Sequence, residues 1–352
     1  MGAAPLSPRL WRCEVIPCDL RADFPRPENG LDTTDRFIRN NFALSSTDPK
    51  VVILLATRNG AEFLKPQLDS FRAQTYGNWE LLVSDDGSTD DTVTIVERFA
   101  STVPQRVVIV PGPQKGFWQN FVALVRSEAI DGDLFAYSDQ DDIWFSEKLA
   151  KAVDWFTQRA SSAPALYFSR TELMHGDGTP AGFSPLFTHA PLFRNALVQN
   201  IGGGNTMVFN RSAREALLAT PIDAELVSHD WWTYQVVTGI GGEAYYDPWP
   251  SLKYRQHGQN IVGANIGWRA RMARLTAFAN GRVVSWNEVN LRVLTRMRDT
   301  LTPENAGVVD LYARARRASW PMRLWLIWKS GVYRQSLVEN IGLSVGALFG
   351  KI

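Results

Sequence analysis

Four short apolar runs, each closed by turn residues, constrain this chain more than any other feature: VVILLA (51–56), WELLVS (79–84), RVVIV (106–110) and LFAYS (134–138). Between them, Phe63, Leu64, Leu68 and Phe71, then Val93, Ile95, Val96 and Phe99, then Phe121, Leu124 and Val125 follow the spacing of one helix face. Strands apolar on both faces that alternate with amphipathic helices form a parallel sheet covered on both sides. Ligands of such sheets bind beyond the carboxyl ends of the strands. That rule gathers four polar loops onto one rim: TRNG (57–60), DDGSTDD (85–91), PGPQKG (111–116) and DQDD (139–142).

Two of these loops are unusually acidic. Carboxylates in a turn after a strand, here Asp139, Asp141 and Asp142, can present oxygens to one hard divalent cation. An ion so held neutralises charge growing on a leaving diphosphate. The same residues also suit an acidic helix N-terminus, because Asp142 precedes the helix expected near Ser146. In SDDGSTDDT, Gly87 permits a tight turn and Ser88 to Asp90 can cap the next helix. Capping does not require two acids at the strand end, and a carboxylate there can accept hydrogen bonds from a nucleobase or a ribose hydroxyl.

Beyond Lys148 a long helix is expected to about Ala160, followed by ALYFS. GGGNTMVFN (202–210) reads as a glycine turn entering a strand, and SHDWWTYQVV (228–237) as a helix with Ser228 or Asp230 near its cap. PSLKYRQHG (250–258) reads as a strand ending in polar residues, and from about Asn265 the chain turns helical and basic.

A formal net charge of +1 gives no global electrostatic signature, so a charged partner must be met locally. Cys13 and Cys18 have no second Cys or His pair at zinc-ligand spacing and are expected to be free thiols in a reducing compartment. No apolar h-region follows Met1, and no window approaches the ~18 apolar residues of a membrane span. The expected compartment is the cytosol, peripheral at the inner face of the plasma membrane.

The segment VVILLATRNGAEFLKPQLDSFRAQTYGNWELLVSDDGSTDDT, followed in order by KGFWQNF, YSDQDDIW, GGGNTMVFN, HDWW and YRQHGQN, resembles glycosyltransferase family 2 and, within it, the rhamnosyltransferase-like branch. The resemblance covers residues from about 50 to 265. It implies an α/β, GT-A (Rossmann-like) nucleotide-sugar-binding domain with a mainly parallel sheet over 49–264; the aperiodic residues 1–48 are read as an extension ahead of it and residues 265–352 as a basic helical region after it. It implies inverting transfer of a hexosyl or deoxyhexosyl unit, such as rhamnosyl, from a nucleotide-diphosphate sugar to a hydroxyl of a surface polysaccharide or lipid-linked glycan, with Mg2+ or Mn2+.

Position by position, the resemblance sets Thr57, Arg58 and Asn59 at the nucleotide, and Asp85 and Asp86 at base and ribose. Lys115 and Gly116 belong to the loop closing over the nucleotide, with Asn120 on the following helix. Asp139 and Asp141 match the Asp-x-Asp metal motif, with Asp142 as the alternative ligand. Asp230 of HDWW stands where the family carries its catalytic base, and a helix cap is the plainer use of the same residue. The family often has Glu-Asp there, so His229 is left to orient acceptor or to pack. Arg255 and His257 fall near the diphosphate, His257 also as a metal ligand. Gly203, within the glycine run, lets the backbone approach the sugar or acceptor.

WRARMARLTAF (268–278) and YARARRASWPMRLWLIWKS (312–330) set Arg beside Trp, Leu and Phe. Such helices suit an anionic membrane face, or alternatively pack on the catalytic domain or a second subunit in a homo-oligomer. Nucleic acid is not an expected partner, because the basic stretch carries no recognisable nucleic-acid motif. A non-catalytic sugar-nucleotide or glycan-binding subunit is the rival reading, opposed by the intact Asp139, Asp141 and Asp230. A nucleotidyltransferase would need a glycine-rich, basic first loop, which ATRNGAEFL does not provide.

Overall fold

The computed structural model describes residues 14–15, 48–129, 131–159, 161–256 and 282–352. Most of the N-terminal extension, both cysteines, His257 and residues 268–278 lie outside the described residues.

The strands are β1 (Glu14–Val15), β2 (Val51–Thr57), β3 (Trp79–Asp85), β4 (Val107–Pro111), β5 (Leu134–Ser138), β6 (Ile143–Trp144), β7 (Ala165–His175), β8 (Pro180–Phe183), β9 (Val208–Asn210) and β10 (Glu243–Gln256). They form one sheet in the order β1-β4-β3-β2-β5-β9-β7-β10-β6, with β8 on β7. Pairing is parallel from β1 through β5. It turns antiparallel where β9 enters, is parallel again between β7 and β10, and ends with antiparallel β6. All four apolar runs are strands at or within one residue of the expected bounds.

The helices are α1 (Ala61–Arg72), α2 (Thr92–Ala100), α3 (Phe117–Arg126), α4 (Lys148–Thr157), α5 (Phe193–Ala196), α6 (Arg211–Leu218), α7 (His229–Gly239), α8 (Arg282–Arg296), α9 (Pro303–Arg317), α10 (Trp320–Ser330) and α11 (Leu337–Leu348). Side chains alternate across a strand, so each buried run feeds two cores. Val51, Ile53 and Leu55 face Leu64, Leu68 and Phe71 of α1 and Val96 and Phe99 of α2. Val52 and Leu54 join the opposite core with Phe121 and Leu124 of α3 and Trp232 of α7. That second core extends without interruption into the C-terminal helices through Leu291, Leu294, Val309 and Tyr312. Asn305, in the first turn of α9, donates to the last carbonyls of α7, Thr238 O at 3.0 Å and Gly239 O at 2.9 Å. Orphan carbonyls at one helix end are thereby satisfied by another helix.

The chain builds outward from β2 to β3 to β4, then returns through α3 to β5 on the other side of β2. The strand order therefore reverses between β2 and β5, and a crevice opens beyond their carboxyl ends.

Candidate functional site

The loops after β2 and β5 meet across this crevice. The Gln140 side chain accepts from Arg58 N at 2.9 Å and donates to Arg58 O at 3.1 Å, so it copies a strand pairing between the first loop and the acidic turn. A Cβ on Gly60 would sit 2.3 Å from Gln140 Oε1, and glycine is what allows this approach.

The first three loops close on themselves. Asp85 accepts from Thr57 Oγ1 at 3.0 Å, Ser88 N at 2.8 Å and Ser88 Oγ at 2.5 Å. Asp86 is buried and accepts from Gln114 N at 2.5 Å and Gly116 N at 3.2 Å, with Arg58 Nη1 at 4.0 Å. Asn59 takes Thr89 N at 2.8 Å, and its backbone enters the left-handed region with φ 47°. Lys115 is exposed, and Gly116 opens α3 with φ 110°, a conformation that side chains resist. Asn120 is turned inward: Nδ2 donates to Ser84 O at 2.9 Å and Oδ1 accepts from Ser84 Oγ at 2.5 Å, fastening α3 to β3.

The acidic turn is different. Burial, then the negative charges of Asp141 and Asp230, pushes the Asp139 carboxyl up to about 7. Asp142 is wholly buried; Oδ2 accepts from Asn205 Nδ2 at 2.6 Å, while Oδ1 has no hydrogen-bond partner among the described residues. Burial, then Asp141 and Asp139, raises its carboxyl well above the usual range. Lys148, buried at the start of α4, donates to Asn205 O and lies over the Trp144 ring at 3.7 Å, and burial lowers its ammonium to about 7. The guanidinium of Arg255 on β10 donates to Asp141 O at 3.2 Å and to Gly176 O at 3.0 Å, which fixes the turn from outside. Arg255 reaches the turn because β6, directly after it, pairs with β10 at Trp144 and Leu252.

Among the described residues, no group of three or more His, Cys, Asp or Glu side chains is arranged to hold a metal. A magnesium-type site, however, uses one or two protein carboxylates with substrate phosphates and water. Asp139 and Asp141 supply such hard oxygen donors, and Asp142 beside them is buried with Oδ1 unpartnered among the described residues. The donor set fits Mg2+ or Mn2+.

Opposite the acidic turn, α7 begins at His229 and carries Asp230 in its first turn, where Oδ1 accepts from Trp231 N at 2.7 Å. His229 is packed: its ring stacks on Phe121 at 3.7 Å and meets Tyr137 edge-on at 4.8 Å. Among the described residues neither ring nitrogen has a hydrogen-bond partner, and burial holds the imidazole down at about 4, hence neutral. The short 3-10 turn Gly204–Thr206 lies between the two acidic elements. A Cβ on Gly204 would come within 2.3 Å of His229 Nε2 and 3.3 Å of Asp230 Cβ, while the next residue holds Asp142. Gly202 is equally confined, by Phe168 at 2.6 Å, whereas Gly203 is exposed at the rim.

The structure therefore brings Thr57, Arg58, Asn59, Asp85, Asp86, Asp139, Asp141, Asp230 and Arg255 to one rim. Gln140, Lys148 and Asn205 are missing from the sequence reading, although each organises the acidic turn. Gln140 and Asn205 stand inside quoted motifs, DQDD and GGGN, where position was their only signal.

The family model described as "Glycosyl transferase family 2" matches residues 52–216. The chain is 30% identical over 240 residues to "dTDP-rhamnosyl transferase RfbG" of Shigella flexneri, covering 64% of this chain and 79% of that protein. It is 27% identical over 169 residues to "UDP-Glc:alpha-D-GlcNAc-diphosphoundecaprenol beta-1,3-glucosyltransferase WfgD" of Escherichia coli, covering 47% of this chain and 62% of that protein. Among solved structures, S. aureus TarS 1-349 in complex with UDP-GlcNAc aligns with a TM-score of 0.50 at 13% identity, over 85% of this chain and 90% of that one.

Proposed function

Because the chain belongs to glycosyltransferase family 2 and has its GT-A fold, we propose that it moves a hexosyl or deoxyhexosyl unit, rhamnosyl first among them, from a nucleotide-diphosphate sugar to a hydroxyl of a lipid-linked glycan or surface polysaccharide, with inversion. The single observation that supports this reading is the turn Gly204–Thr206, where Asn205 donates to Asp142 and a Cβ on Gly204 would lie 3.3 Å from Asp230 Cβ. The relatives named above support the sugar and the acceptor class.

In this reading Asp85 and Asp86 face base and ribose, Lys115 and Gly116 close over the nucleotide, and Arg255 stiffens the turn that faces the diphosphate. Asp139 and Asp141 hold Mg2+ or Mn2+, and His257 is the further candidate ligand. The bound ion supplies positive charge to the departing diphosphate. Asp230 accepts the proton of the acceptor hydroxyl as its oxygen bonds to C1 and the bond from C1 to the diphosphate breaks. The acceptor approaches from the α7 side, opposite the diphosphate, and the configuration at C1 inverts. Such a reaction belongs at the inner face of the plasma membrane.

Thermal-shift measurements with nucleoside diphosphates and their sugars test the donor site, because a ligand of the folded state raises the melting temperature. A rise that requires Mn2+ or Mg2+ is expected. Asp230→Asn should keep that rise and lose about 10²- to 10⁴-fold in transfer, the usual worth of a general base. Near-normal turnover in this variant removes Asp230 from the role. A donor-dependent rise without any sugar release, with or without acceptor, favours a non-catalytic binding subunit.

A further inference from the structure

Helices α10 and α11 are apolar on both their inner and their outer faces. Inward, Leu326, Ile327, Leu343 and Ala347 join the core that reaches the sheet. Outward, Trp328 is 78%, Leu337 76%, Val338 75% and Phe349 70% exposed, with Ile341 and Trp325 beside them. A helix that is apolar all round is buried in protein or in lipid, and this concentration of exposed apolar side chains on two adjacent helices points to an interaction site. With 11 and 12 residues, the two helices are far shorter than the ~20 residues needed to span a bilayer. No helix among the described residues is long and apolar enough to cross a membrane.

The charge around the patch has one sign. From Leu311 to Val338 the chain carries Arg314, Arg316, Arg317, Arg323, Lys329 and Arg334 and no Asp or Glu. Some of these are engaged internally: Arg316 pairs with Glu288 at 2.8 Å, and Arg323 donates to Ala318 O at 2.7 Å and Ala347 O at 2.9 Å, locking α9, α10 and α11 together. Arg314, Arg317 and Lys329 are exposed, Lys329 lying 4.8 Å over the Trp325 ring. Glu339, in the first turn of α11, is turned back to Ser336 and Gln199. A second copy of the chain paired about a two-fold axis would set the same cations against each other. An anionic leaflet answers both features, with tryptophans at headgroup depth and cations against lipid phosphates.

We propose that the outer face of α10 and α11 docks this protein flat on an anionic lipid bilayer. The acceptor side of the site is tied to this face. In the connection between the two helices, Tyr333 O accepts from Asn195 at 3.0 Å, Arg334 donates to Val198 O at 2.6 Å, and Gln335 donates to His189 O at 3.0 Å and to Gln199 Oε1 at 2.8 Å. The segment 189–199 so gripped leads directly into the glycine run beside Asp230. Resting on the proposed function, docking here presents the α7 side of the crevice to an acceptor carried on lipid.

The test is co-sedimentation of the full chain with phosphatidylcholine vesicles, with and without phosphatidylglycerol, at low and high salt, alongside tryptophan emission. The expected result is at least about tenfold tighter binding to the anionic vesicles, weakened by salt, with a blue shift of emission. Trp328→Glu with Ile341→Glu should lose that binding, yet retain the wild-type melting temperature and the nucleotide-induced thermal shift. Equal vesicle binding by wild type and variant overturns the proposal. So does a wild-type dimer in sedimentation equilibrium that the same substitutions dissociate, which makes the face a subunit interface. Intact vesicle binding without any sugar transfer leaves the docking face standing and counts against the glycosyltransferase reading alone.

Discussion

The two sides of the crevice are built on opposite principles. On the side of β2, β3 and β4, the carboxylates of Asp85 and Asp86 are taken up by neighbouring N–H and O–H groups, so the acids organise their own loops. On the side of β5 and α7, Asp139 and Asp142 sit among other carboxylates, and among the described residues neither Asp142 Oδ1 nor either His229 nitrogen has a hydrogen-bond partner. Buried polar groups are normally satisfied. The first side thus holds its acids in protein hydrogen bonds, and the second leaves buried polar atoms without a partner among the described residues.

Substitutions can break or sharpen this contrast. Asp141→Ala should have the largest effect, a loss of about 10³-fold or more in metal-dependent transfer, since charge stabilisation by a bound ion is worth several kcal/mol. Steady-state assays across a Mn2+ titration check it, and rates that ignore Mn2+ in both proteins would refute it. Next comes the pH response of His229. Its imidazole is held at about 4 rather than 6.5, so above pH 6.5 it is neutral folded or unfolded. Between 6.5 and 4 only the unfolded chain gains the proton, and stability falls as pH drops, by on the order of 3 kcal/mol in all. His229→Leu should flatten that part of the urea-unfolding profile even though it alters packing; an unchanged slope assigns the acid sensitivity elsewhere.

The smallest effects separate the two sides directly. Asp85→Ala strips partners from Ser88 and Thr57 and should lower stability by about 2 kcal/mol, the usual cost of losing hydrogen bonds to a charged group. Asp142→Asn removes a buried carboxylate with an orphaned oxygen and should leave stability within about 1 kcal/mol of wild type, or raise it. Equilibrium unfolding of both variants gives the comparison, and equal losses would erase the distinction.

Much of this was legible in the chain before folding. Strand periodicity, glycine turns and the succession of polar loops are properties of a few consecutive residues, and they placed Thr57, Asp85, Asp86 and Asp139 on one rim through a single topology rule. The helix expected to about Ala160 ends at Thr157, a difference within the fraying of helix ends. Asn120 shows where local reading stops. Its motif placed it near the nucleotide, but its distance from Ser84 is set by how α3 lies on the sheet, and both ends of its amide are spent there.

The sequence by itself determined the alternation of strand and helix, the family, and the order of the acidic loops, because these depend on side chains within one or two turns of each other. Only the tertiary structure decided which acid is sheltered by Asn205, 63 residues away. It likewise decided which C-terminal arginines are consumed in helix packing, and that the outer face of α10 and α11 is exposed among the described residues. Hydrophobic identity is written residue by residue, but whether an apolar side chain ends in the core or facing outward depends on what the rest of the fold brings against it.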